Sequence, residues 1–163
     1  MSGGAGHARL RTLLPANLRA GTAQAGGRLP GMEPGGGGGG DGESLAQLGQ
    51  AMSAHPELVS GTGRNDADFM RAGRGDWVTK VGADGVQVVA SRSRGQALAI
   101  KIMDGNKAAL FAATVEALEQ LGWLDDAQRE SLKPWRAQVL LNVAGMPVGE
   151  RRSMFKLQPG EHA

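Results

Sequence analysis

Lys80 is the residue best placed by its setting to do chemistry, because an amine stands inside the apolar, β-branched run Trp77-Val-Thr-Lys-Val-Gly-Ala-Asp-Gly85. Val78, Thr79 and Val81 favour an extended backbone, and Gly82 and Gly85 punctuate it as in a strand that approaches a ligand or another backbone and then turns. Taken alone, a strand lysine more often ends in solvent or guards a sheet edge against aggregation. Arg64 is a second candidate, carried by the loop Gly61-Thr62-Gly63-Arg64, which can set a guanidinium against a small anion. No Gly-Lys-Ser/Thr follows that loop, so it is not a phosphate-binding loop of the nucleotidase type. His55 offers a general base, yet directly before Pro56 it fits a loop or last-turn histidine better.

The familiar catalytic sets are absent or misplaced. A serine–lysine hydrolase needs the two side chains one helical turn apart. The Ser-x-x-Lys spacing of Ser153 and Lys156 falls in a predicted strand, where residues three apart face opposite ways. There is no Gly-x-Ser-x-Gly elbow, and a Ser-His-Asp triad would have to use His55 without any supporting motif. The carboxylate pairs Asp66/Asp68 and Asp125/Asp126 suit helix caps and first turns. Trp77, Trp123 and Trp135 are far apart in sequence and fit core or rim positions rather than a base-stacking platform.

Composition narrows the partners. The 163 residues include 27 glycines and six aromatics, too glycine-rich for the whole chain to fold. The formal net charge is +2, and the leading 40 residues carry four arginines against one glutamate. The remainder is close to neutral, which argues against a nucleic-acid or anionic-membrane surface. With no cysteine there is neither a disulfide nor a thiolate metal site, and three histidines, two of them near the ends, do not make a metal site of their own. No apolar run approaches the roughly 20 residues of a membrane helix, and no secretory h-region stands at the N-terminus, so a soluble cytoplasmic protein is expected.

The elements that must position Lys80 follow from the patterning. Residues 1–43 have linker composition and are expected to form a disordered tail. Ser44 with Gln47 suggests a capping box for a helix over 44–54 that shows Leu45, Leu48, Ala51 and Met52 on one face, with Pro56 ending it. Asn65 and Asp66 offer caps to a short helix carrying Phe69 and Met70. Trp77–Val81, Val86–Ala90 and Ala97–Ile102 read as three strands whose short connections require antiparallel pairing. A helix over 106–121 should lie across that sheet through Leu110, Phe111, Val115, Leu118 and Leu121, with a shorter helix from Asp125 to Leu132 before Pro134. Val139–Val143 and Val148–Leu157 flank a turn and read as a second hairpin; Pro159 to Ala163 should fray. The fold class is α/β of the α+β kind, an antiparallel sheet covered by helices, with 44–158 as the structured unit.

From Ser44 onward the order of motifs resembles the C-terminal part of the asparaginase II family, the serine-dependent L-asparaginases related in fold to class A β-lactamases and penicillin-binding proteins. The residues that carry the resemblance are Met52, His55-Pro56, Gly61-Thr62-Gly63-Arg64, Asp66, Met70-Arg71-Ala72, Lys80 with Gly82-Ala83-Asp84-Gly85, and Lys101 followed by Asp104-Gly105. The resemblance implies hydrolysis of L-asparagine to L-aspartate and ammonia through a serine acyl-enzyme. It implies that Lys80 is the sheet lysine of the site, exchanging protons with a serine, and that Arg64, Gly82 and Ala83 contact the substrate. The fold implied is the sheet half of the β-lactamase architecture.

Where the chain departs from the family, the expectation changes. Asp84 stands where glutamate is usual. The Ser-x-x-Lys pair, the second serine and the cysteine-containing zinc site that the family carries upstream have no counterpart, and Gly-rich residues stand in their place. The implied protein is a truncated copy without nucleophile or cofactor, inactive alone, because removing one member of a catalytic unit abolishes most of its rate enhancement. A non-catalytic amino-acid-binding or assembly module is the alternative, and a homodimer is left open.

Overall fold

The computed structural model describes residues 39–157, with side chains from residue 43. The expectations for residues 1–38 and for the last six residues lie outside the described part. Helices α1 (Gly39–Ala54), α2 (Pro56–Ser60) and α3 (Asn65–Ala72) lead into strands β1 (Trp77–Gly82), β2 (Val86–Ser91) and β3 (Gln96–Lys101). Helices α4 (Lys107–Gln120) and α5 (Asp126–Arg136) follow, and strands β4 (Gln138–Leu141) and β5 (Pro147–Arg151) close the described chain. The three-stranded sheet has the order β1-β2-β3 and is antiparallel throughout, as the short connections require.

Period-two alternation sorts this sheet into two unlike faces. Trp77, Thr79, Gln87, Val89, Ser91, Leu98 and Ile100 are buried under the helices. Phe69 of α3 and Leu110, Ala113, Val115, Ala117 and Leu118 of α4 complete that core, joined by Trp123, Leu124 and Leu132. Each large apolar side chain enclosed in this way contributes about 1.5–3 kcal/mol relative to exposure. The other face is built from smaller residues, and its register aligns Val78 with Ala90, Lys80 with Val88, and Val88 with Ala99. α1 approaches it, where a Cβ on Gly49 would touch Val78 Cγ2 at 3.5 Å and Ser53 Oγ donates to the Trp77 carbonyl at 3.0 Å.

Several local expectations change. α1 begins at Gly39, inside the glycine run, so Ser44 lies within the helix rather than capping it. Its leucines are not the packed face: Leu45 and Leu48 are exposed while Gly49 is buried against β1. α3 takes Arg64 as its N-cap, with neither Asn65 nor Asp66 in that role. Pro134 sits inside α5 instead of beyond it, and takes one N–H out of the helical ladder two residues before the helix ends. β5 ends at Arg151, so Ser153 and Lys156 lie in irregular chain and not in a strand. The tryptophans are paired, Trp77 with Trp123 at 6.5 Å and Trp135 edge-on to Phe111 at 5.1 Å.

Candidate functional site

β1 is an edge strand, and edge strands leave main-chain groups without ladder partners. Val81 is where that vacancy is filled from the side. Its N–H donates to Asp66 Oδ2 at 2.9 Å, and its carbonyl accepts from Lys80 Nζ at 2.8 Å. The ammonium therefore curls round the strand edge, 3.7 Å from the same Asp66 oxygen. Lys80 stays 57 % exposed while Asp66 is fully enclosed. Lys80 thus lies largely in solvent at a sheet edge, as a strand lysine taken alone more often does.

Asp66 is the hub that sequence reasoning missed. Beginning α3 at Asn65 places the first turn of that helix against the β1 edge. From there the Asp66 carboxylate reaches past its own helix and accepts at Oδ1 from Thr79 Oγ1 at 2.9 Å, Gln87 Nε2 at 2.9 Å and Asn65 Nδ2 at 3.2 Å. Asn65 Nδ2 also donates to Gln87 Oε1 at 2.8 Å, closing a ring of three side chains, Asn65, Asp66 and Gln87, to which Thr79 is joined through Asp66. A buried carboxylate is tolerated only when it is fully hydrogen bonded, and each acceptor position here has a donor. The sequence signal that existed was Gln87, a long amide at an inward position of a strand otherwise rich in valine.

Gly82, the last residue of β1, and Ala83, in the turn that follows, are both exposed. That turn is held from the far side by Lys101, whose Nζ bonds Asp84 Oδ2 at 3.1 Å, the Ile102 carbonyl at 3.0 Å and the Asp84 carbonyl. Gly85 does not make room for Lys80. Its φ is +72°, and a Cβ there would come within 2.8 Å of Gly105 Cα, so its role is the close approach of two loops.

Arg64 stands elsewhere, at a cleft of about 160 Å³ lined by Gly63, Arg64, Asn65, Val81, Lys107, Phe111 and Trp135. The structure thus brings Arg64 next to the Val81 segment that anchors Lys80, and leaves Gly82 and Ala83 outside the cleft. Trp135 is fixed by its indole N–H donating to Asp68 Oδ2 at 3.1 Å. His55 is exposed at the start of α2, makes no side-chain cap bond, and takes no part in the site.

The serines nearest the early elements are engaged away from Lys80: Ser53 with the Gly49 and Trp77 carbonyls, Ser60 with the Ala67 N–H, and Ser91 with Asp76. Among the described residues no group of three or more His, Asp or Glu is placed to hold a metal ion, and no helix is long and apolar enough to cross a membrane. The arrangement supplies a positioned amine, a buried carboxylate that orients it, and a cationic, aromatic-walled cleft alongside.

No curated protein matches the chain. The sequence model of the L-asparaginase II family matches residues 17–153, most of the chain and a longer span than the motifs from Ser44 onward. The match spans most of the chain, and the chain belongs to the L-asparaginase II family.

Proposed function

We propose that this chain carries the lysine limb of a serine–lysine amide-hydrolysing site directed at L-asparagine, with the nucleophilic serine supplied from outside the described residues. The observation that supports this reading most is the seating of Lys80. Its ammonium is fixed at a strand edge by the Val81 carbonyl and by a fully buried carboxylate, yet it remains open to an incoming group. An amine held in that way can exchange a proton with a hydroxyl brought to it and add positive charge beside a substrate carboxylate. Asp66 acts through Lys80 as a positioning residue, with Thr79, Gln87 and Asn65 keeping the carboxylate in place.

Without the serine partner the chain by itself should not turn over L-asparagine, since the members of such a unit lose most of their effect when one is absent. The test is ammonia release from L-asparagine by the purified chain, alone and mixed with the upstream half of a complete family member. The expected result is no turnover alone, and turnover in the mixture that Lys80→Ala abolishes. Turnover by the chain alone near that of a complete enzyme, lost on Lys80→Ala, would overturn the missing-nucleophile reading. Binding of L-asparagine in a calorimeter, with no activity in either arrangement, would point to an amino-acid-binding module.

A further inference from the structure

The cleft beside the lysine site has a charge pattern that the fold does not use. Arg64 and Lys107 both line it, and neither side chain forms an ion pair or a hydrogen bond in the described structure, whereas Arg71, Arg74, Arg129 and Arg136 are matched to carboxylates and Arg92 and Arg94 to main-chain carbonyls. Lys107 is the first residue of α4, in a turn without acidic residues. The helix dipole makes that the least favourable position for a cation and a favourable one for an anion. The α4 cap is already filled by Asn106, which accepts from the Ala109 N–H at 2.9 Å, so Lys107 is not needed to form the helix.

The walls limit what such an anion can be. Phe111 and Trp135 meet edge-to-face at 5.1 Å and, with Val81, give an apolar side; Asn65 gives the polar floor. Asn65 spends its amide hydrogens on Asp66 and Gln87, which leaves its oxygen as the acceptor it can offer a ligand. No carboxylate lines the cleft; Asp66 and Asp68 are engaged by Thr79, Gln87 and Val81 and by Trp135 and Arg71, and Asp104, before α4, accepts from the Asn106 N–H. A volume of about 160 Å³ admits a molecule of amino-acid size and is below the 300 Å³ or more typical of drug-sized ligands.

We propose that this cleft is a binding site for small dicarboxylates, one carboxylate taken by Arg64 and the other by Lys107 with the α4 N-terminus, the carbon chain lying on Phe111 and Trp135. Two cations without counter-ions match two carboxylates, and a monoamide would leave one of them unpaired. On the amide-hydrolase reading, on which only the ligand's biological identity rests, the dicarboxylate is the product L-aspartate. The cleft would then favour product over substrate and retain it beside the site.

The test is NMR titration of the full-length chain with succinate, L-aspartate, L-asparagine and acetate, following the Trp135 indole N–H. Succinate and L-aspartate should bind, with L-asparagine and acetate weaker by about tenfold, the effect of one lost charge-assisted contact. Arg64→Gln and Lys107→Gln should each weaken succinate by a similar factor, while Lys133→Gln, outside the cleft, leaves it unchanged. Both replaced side chains are exposed and unpaired, so the fold should persist, and circular dichroism checks this. Raising the salt should weaken succinate binding to the unaltered chain, a readout independent of any variant. No succinate binding, binding insensitive to both substitutions, or L-asparagine binding as tightly as succinate overturns the proposal. Succinate has no amide to hydrolyse. Its binding with no L-asparagine turnover even in the complemented mixture would sink the hydrolase reading alone, and turnover in the complemented enzyme without succinate binding would sink this proposal alone.

Discussion

At the residue scale, Asp66 and Lys80 form a pair whose members should respond unequally to removal. Asp66→Ala leaves Thr79, Gln87 and Asn65, all buried, and the partly buried Val81 N–H without their common acceptor. Orphaned buried donors cost about 1–3 kcal/mol each before relaxation, so a loss of about 3 kcal/mol in urea unfolding is expected. Lys80→Ala removes an exposed partner at 3.7 Å and should cost under about 1 kcal/mol. A large stability loss on Lys80→Ala would mean that the lysine is structural and would weaken its assignment to the site. Gly85→Ala forces a side chain into φ +72° and against Gly105, and should destabilise by about 2 kcal/mol with the sheet otherwise intact. Lys80 was legible in the sequence because an amine interrupts an apolar run. Asp66 was not, because an aspartate two residues into a helix looks the same whether it caps that helix or reaches across to a strand edge.

At the element scale, alternation and short connections were enough to place the three strands to within a residue at most boundaries, since one face of that sheet must be buried and a slip would expose it. The ends of elements were less legible. α1 extends back into glycines of poor helix propensity, and it packs through Gly49 where periodicity favoured its leucines. Gly49 is a helical glycine whose missing Cβ would make an ordinary 3.5 Å contact with Val78. Gly49→Ala is therefore expected to stabilise the protein by about 0.5–1 kcal/mol in thermal unfolding. The start of α5 matches its sequence signal. Asp125 accepts from the Gln128 N–H at 2.8 Å while Gln128 Oε1 accepts from the Asp125 N–H, a capping box, and Arg74 grips the carboxylate at 2.7 Å. The Gln128 N–H holds the Asp125 carboxyl below the ordinary value of 3.8; burial opposes it, and the hydrogen bond and charge of Arg74 add to the lowering. The unfolded chain then takes up that proton more readily than the folded one. The contribution is present in full above the ordinary carboxylate range and fades as the pH falls through 3.8 toward the lowered folded value. Asp125→Asn should flatten that part of the acid-unfolding curve, which circular dichroism against pH would show.

At the scale of the whole molecule, apolar surface is distributed unevenly. The helical side of the sheet is closed over Trp77, Phe69, Leu110 and Leu118. The opposite face leaves Val88 exposed in line with Lys80, and among the described residues β3 has a strand neighbour on one side only. The β4–β5 hairpin is more open still, with Val139 61 % and Val148 64 % accessible and Leu141, Val143 and Met146 exposed around them. Surfaces of this kind, with an unpaired strand edge nearby, associate unless something covers them. The lysine site lies on the β1 edge of the same sheet, so whatever covers the open face also approaches Lys80. For the chain alone, sedimentation velocity should show association that increases with concentration. Replacing both Val139 and Val148 by lysine should weaken it by about tenfold for each valine withdrawn from the contact, at the usual value of a buried aliphatic side chain. Both positions are exposed, so the substitutions should leave unfolding within about 0.5 kcal/mol of the parent. A chain that stays monomeric at every concentration tested would mean that the exposed valines drive no contact, and the open sheet face would then have to be accounted for without self-association.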